Sequence, residues 1–226
     1  MDIMAHETNP CGSIPTPLPR ALACTLGRPY VVAVEGPNGS GKTLLCRLLS
    51  ERMGLPHLRG IPAAWEHPAM KLHMIRDADW LASAMYFLSG VIESSREAAR
   101  GQGEAKVMDR SVWSTVAAHY AFDPRRLELL LPLLELAAGR IKVPDLTIVL
   151  EISPETHRQR VARKAGDAHA FDTATPLGDA FLNRERDFYH WLAGQWPKVV
   201  FITTEHCEVE TVYRQAQDFV REAIGC

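Results

Sequence analysis

A chain of 226 residues with 46% hydrophobic content suits one α/β domain with a sizeable core, and its formal net charge of -2 gives no field that would hold polymeric nucleic acid. The cysteines Cys11, Cys24, Cys46, Cys207 and Cys226 are odd in number and lack C-x-x-C spacing, which argues against a disulfide framework or a cysteine metal site and for a reducing cytoplasm. No run approaches the roughly 18 apolar residues of a membrane span, and no basic segment leads into an apolar one, so neither a membrane partner nor a secretory leader is expected.

Residues 1–28, with Pro10, Pro15, Pro17 and Pro19, read as a flexible extension before a single domain over 29–226. Tyr30 to Val34 is a short β-branched run that predicts a buried strand, and Leu44, Leu45, Leu48 and Leu49 predict a helix from Lys42 to Met53. Cys46 falls among those leucines and is expected in the core. Between strand and helix, Gly36-Pro37-Asn38-Gly39-Ser40-Gly41-Lys42-Thr43 fits the phosphate-binding pattern G-x-x-x-x-G-K-[ST]. Glycines let backbone N–H groups turn inward around a polyphosphate, and the helix N-terminus adds a favourable dipole. Lys42 would reach the terminal phosphates, and the Thr43 hydroxyl would ligate Mg²⁺.

His57 and Leu58 predict a very short second strand, followed by the polar loop Trp65-Glu66-His67-Pro68. Glu66 there is open between facing an acceptor, or positioning its nucleophile, and an ordinary polar loop; Trp65 is open between packing and stacking. A helix is expected from Asp79 to Arg100, with Leu81, Met85, Leu88 and Ile92 at helical spacing, and its apolar face is open between the core and a homodimer. Lys106 to Met108 predicts a strand ending in Asp109. Pro124 to Ile141 predicts a Leu-rich helix interrupted at Pro132. Strands at Leu146–Leu150 and Val199–Thr203 alternate with helices opened by Ser153-Pro154 and spanning Leu177–Ala193 and Glu208–Ile224. Such alternation argues for a three-layer α/β domain with a parallel sheet covered on both faces.

Two further groups carry chemistry. Asp109-Arg110-Ser111 follows a strand and should project from the same sheet edge as the phosphate loop, the acid holding Mg²⁺ or orienting the attacking oxygen and the guanidinium clamping phosphate. Arg158, Arg160, Arg163 and Lys164 cluster after Ser153-Pro154, with Arg160, Arg163 and Lys164 at i, i+3 and i+4. This helix and the irregular stretch after it, about 155–176, suit a lid that brings positive charge to the transferring phosphates. The histidines show no ligand spacing, and no N-K-x-D motif for guanine occurs.

The order of these pieces resembles the thymidylate kinase and deoxynucleoside kinase superfamily from Tyr30 to Ile224. The carrying segments are Val34 to Thr43, Asp109 to Ser114, Pro144 to Glu151, Pro154-Glu155, the arginine-bearing lid and Phe181 to Tyr189. The resemblance implies a five-stranded parallel sheet with a helical lid, ATP and Mg²⁺ as cofactors, and a small nucleoside or nucleotide acceptor. It implies that Lys42 and the loop hold the donor, that Thr43 and Asp109 organise the metal, and that Arg110, Arg160 and Arg163 meet the phosphates while Glu66 positions the acceptor. Thymidylate kinases carry Arg before that Glu, where this chain has Trp65, and a base-reading arginine in the helix where Leu81 to Ser89 has neither Arg nor Gln. The expected reaction is phosphoryl transfer to a nucleoside monophosphate, with an atypical or modified pyrimidine nucleotide in view. A 5′-kinase of free (deoxy)nucleosides and a nucleotide-binding regulatory protein without transfer activity are the alternatives.

Overall fold

The computed structural model describes residues 17–25, 29–100, 105–164 and 178–225. Strands β1 (Tyr30–Glu35), β2 (His57–Arg59), β3 (Ala105–Asp109), β4 (Leu146–Glu151) and β5 (Val199–Thr203) form one parallel sheet in the order β2-β3-β1-β4-β5. The central strands are nearly continuous apolar runs because both faces are covered. Alternate side chains go to opposite layers. Val32, Val34, Ile148, Leu150 and Ile202 pack against α1 (Lys42–Met53), while Val149 and Phe201 face a core built around Trp113, Phe188 and Leu192.

The remaining described helices are α2 (Pro68–Arg76), α3 (Trp80–Arg100), α4 (Val112–Phe122), α5 (Arg126–Ala137), α6 (Pro154–Lys164), α7 (Asp179–Gln195) and α8 (Val209–Ile224). The last packs Val212, Tyr213, Ala216 and Val220 beside α1. Ser153 caps α6 as expected, its Oγ accepting from the Thr156 N–H at 3.2 Å.

Several expectations change. The segment ahead of β1 is not all a free extension: Leu18, just before the short 3₁₀ turn Arg20–Thr25, and Leu22 on it are buried with Leu134, Ala138 and Ile141. Helix α5 runs through Pro132 without interruption. Pro132 is exposed, so the carbonyl it leaves without an intrahelical donor can be hydrated while Leu127, Leu130, Leu131 and Leu134 stay packed. Helix α4 had no expected counterpart, because a helix with seven buried residues shows little apolar periodicity. Helix α2 begins at Pro68, a residue suited to the first helical turn, where the sequence suggested only a loop. On α3 the closest packing uses small residues instead of the anticipated stripe: Ala84 and Ala98 are buried, whereas Leu81 and Met85 are 40% and 56% exposed. Most of the expected lid, 165–176, lies outside the described residues.

One core residue predicts the acid behaviour of the fold. His119 on α4 is buried, its Nδ1 finds no hydrogen-bond partner among the described residues, and burial followed by the Arg126 charge pushes its pKa down to about 4. An imidazole that titrates near 6.5 when unfolded and near 4 when folded binds fewer protons in the native state between those values. Stability is therefore expected to be full above pH about 6.5 and to fall toward pH 4, by at most about 3 kcal/mol from this group. Denaturant midpoints of wild type and His119→Phe across that window should differ in slope; parallel curves would refute the assignment.

Candidate active site

The phosphate loop leaves β1 at a position that only glycine tolerates. Gly36 has φ 120°, and a Cβ there would sit 2.3 Å from the Leu150 carbonyl oxygen. Gly41, the N-cap of α1, has φ 101°, and its left-handed backbone opens the helix at Lys42. The buried Lys42 ammonium donates to the Pro37 carbonyl at 2.6 Å across the loop. Burial, then the neighbouring Arg110 charge, lowers its pKa to about 7, against the opposing pull of Glu185, Asp109 and Glu35. A polyphosphate in the loop would favour the charged form again.

Parallel pairing of β3 with β1 brings Asp109 to the same edge. The Thr43 hydroxyl donates to Asp109 Oδ2 at 2.7 Å, joining residues 66 positions apart. Two hard oxygen donors at the foot of a phosphate loop fit Mg²⁺, which takes one or two protein oxygens and completes its shell with water and phosphate. Arg110 follows with φ 71°, an uncommon conformation for a residue with a Cβ. Its peptide is accommodated because Gly60 has no side chain: a Cβ there would meet the Arg110 carbonyl oxygen at 2.5 Å. The guanidinium bonds the Asn38 side chain and lies 3.4 Å from Ser114 Oγ, so it faces the phosphate loop.

Glu35, fully buried at the end of β1, organises this corner. Its carboxylate accepts from the Ser111 N–H at 2.7 Å, the Ser111 hydroxyl at 2.6 Å, the Ser114 hydroxyl and the Tyr189 hydroxyl at 3.1 Å. Burial pushes its pKa up, while those donors and Arg110 pull it down. Glu185 on α7 is a second buried acid, also raised by burial and drawn down by Arg110 and Lys42. Neither carried a predicted role, yet both left a trace in sequence. Glu35 is charged in an apolar strand, and Glu185 occupies an apolar position of the Phe181, Leu182, Phe188, Tyr189 pattern.

On α6, Arg160 donates to the Gly39 carbonyl at 3.2 Å, the Thr204 hydroxyl at 2.9 Å and the Thr204 carbonyl at 2.6 Å. It thus braces the outer side of the loop against the segment after β5. Arg163 is exposed on the same helix, and Arg158 points away to Glu155 and Asp179. Glu66 is held by two cations, pairing with Arg59 and, at 3.1 Å, with Lys71. Arg59 was not anticipated as a partner; it ends β2 opposite Asp109, a proximity set by strand register. Trp65 donates from Nε1 to Ser89 Oγ at 3.0 Å and packs on α3. Glu151 faces His190 at 3.0 Å.

This loop, sheet order and acid-arginine pair define a P-loop phosphotransferase acting on small molecules. A sequence profile of the family described as deoxynucleoside kinase matches residues 32–223, and the chain belongs to that family. It is a nucleoside or nucleotide kinase. Over 160 residues it is 26% identical to a thymidylate kinase of Leptospira borgpetersenii, covering 66% of this chain and 77% of that protein. Over 138 residues it is 24% identical to a deoxyguanosine kinase of Bacillus subtilis, covering 59% and 66%. The solved deoxyadenosine kinase of M. mycoides with bound dATP superposes with a TM-score of 0.65 at 14% identity, covering 85% of this chain and all of that one, which shows a shared fold. Kinases of this family take the phosphoryl group from ATP. Among the described residues no helix is long and apolar enough to cross a membrane.

Proposed function

We propose that this kinase transfers a phosphoryl group from ATP, with Mg²⁺, to a nucleoside monophosphate. The observation that carries this reading is the charge of the acceptor side: Arg59 and Lys71 both pair with the single carboxylate of Glu66, and Arg110, which follows the residue opposite Arg59, reaches the donor loop at Asn38. A rim that gathers three cations, Arg59, Lys71 and Arg110, suits an acceptor that brings its own phosphate. A free 5′-hydroxyl would instead call for a carboxylate able to take its proton, and Glu66 is engaged by two cations. Catalysis is then positioning and charge stabilisation. Lys42 and the loop amides from Gly36 to Thr43 hold the donor, Thr43 and Asp109 supply the metal ligands, and Arg110 bridges donor and acceptor. Glu66 orients Arg59 and Lys71, Arg160 braces the loop through Gly39 and Thr204 in place of meeting the phosphates directly, and Arg163 brings the lid's charge. An atypical pyrimidine base remains in view, since Leu81 to Ser89 lacks an arginine.

Family membership and the deoxyguanosine kinase relative favour a second reading, transfer to the 5′-hydroxyl of a free deoxynucleoside. Incubation with Mg·ATP and parallel panels of nucleosides and monophosphates, read as ADP release, separates the two. Monophosphates are expected to turn over, and exclusive use of free nucleosides rejects our reading. Arg59→Ala should lower kcat/KM for the preferred monophosphate about 30- to 100-fold, as loss of a charged hydrogen bond predicts. An unchanged value would remove Arg59 from the acceptor site.

A further inference from the structure

Behind the phosphate loop, three elements bring together a sulfur, a nitrogen and an oxygen donor. Cys46 Sγ, a ring nitrogen of His57 and a carboxylate oxygen of Asp109 all lie within 4.8 Å of one another. The convergence follows from backbone geometry. Cys46 is one helical turn after Thr43, so both face the same way from α1. In the β2–β3 pairing His57 lies opposite Val107 and Arg59 opposite Asp109, so the two-residue strand period turns His57 and Asp109 to one sheet face. That is the face α1 covers, since Val107 and Cys46 share its core. Asp109 therefore belongs to two donor sets, one with the Thr43 hydroxyl at 2.7 Å and one with Cys46 and His57.

We propose that Cys46, His57 and Asp109 bind one thiophilic divalent cation of the zinc class, and that filling this site competes with Mg·ATP. Zinc takes thiolate, imidazole and carboxylate ligands at about 2.0–2.3 Å, which puts tetrahedral donors about 3.5 Å apart. Rotation of the exposed His57 and half-buried Asp109 side chains closes the remaining gap toward the buried Cys46. Magnesium prefers oxygen and gains nothing from the sulfur and nitrogen. On binding, the Cys46 thiol releases its proton to water as the metal–sulfur bond forms, the His57 nitrogen donates its lone pair, and water completes the shell. Asp109 gives up the Thr43 hydroxyl, and the Mg²⁺ site loses its carboxylate. No spacing in the sequence announces this trio, because each ligand comes from a different element.

The test uses the full chain without an acceptor, so its outcome is independent of whether the acceptor is a monophosphate. Titration with Co²⁺ should produce a thiolate-to-cobalt absorption band at one equivalent, and Zn²⁺ affinity is measured against a chromophoric chelator. Cys46→Ala, which keeps the position apolar, Cys46→Ser and His57→Ala should each weaken zinc binding at least about tenfold. One equivalent of Zn²⁺ should also weaken binding of a fluorescent ATP analogue at fixed Mg²⁺ in wild type and leave the variants unaffected. Absence of the thiolate band, or zinc affinity unchanged in all variants, overturns the site. Zinc bound in wild type without effect on Mg-dependent nucleotide binding overturns the competition.

Discussion

Lys42→Ala is expected to lower phosphoryl transfer at least about a thousandfold while leaving the fold in place. The Lys42 ammonium, at the first residue of α1, reaches back across the phosphate loop to the Pro37 carbonyl and so places a positive charge at the loop. Among the described residues, the two arginines beside the loop are engaged elsewhere. Arg110 is committed to Asn38, and Arg160 braces the loop from outside through Gly39 and Thr204. The cost to stability should be small, because burial already drives Lys42 toward its neutral form and its removal relieves that desolvation. ADP release with the best acceptor and a thermal melt check both halves. Turnover within tenfold of wild type would sink the assignment of the loop as the donor site.

Glu35→Ala should destabilise the protein by about 3–5 kcal/mol, the scale expected when a buried, multiply bonded charge is removed. Four donors converge on this carboxylate: the Ser111 N–H and the hydroxyls of Ser111, Ser114 and Tyr189. Without it each of these donors loses the carboxylate it is bonded to. The same bonds fix the turn at which Arg110 holds its left-handed backbone, so turnover should fall together with stability. Glu35→Gln keeps one carbonyl acceptor and should cost less. A shift of the denaturant midpoint at constant slope measures the effect. A loss below about 1 kcal/mol would mean that the Ser111, Ser114 and Tyr189 donors find other partners.

Much of the fold was legible because its signals are local. The five strands, the phosphate loop and α3 stand near their expected limits, and Cys46 is in the core. Helix α4 was missed for the opposite reason: Val112 to Phe122 is buried so widely that no polar face marks a period. Pro132 misled because a proline's effect depends on where the freed carbonyl points, and here that side of α5 is open to water. Leu18 and Leu22 were hidden in a proline-rich setting, and only the existence of a core to receive them gives those leucines a place.

The sequence by itself determined the donor half of the proposed site, since eight consecutive residues from Gly36 to Thr43 hold both the backbone freedom and the charge that a polyphosphate needs. It also marked Asp109 and Arg110 as a strand-end pair. Only the tertiary structure decided what these groups meet. Register brings Asp109 to Thr43, places Arg59 at the same sheet edge where it pairs with Glu66, and turns His57 toward Cys46. Helix packing sets Glu185 and Tyr189 against Lys42 and Glu35. Most of these depend on contacts between residues far apart in the chain, where burial and pairing geometry, more than local residue type, set the chemistry.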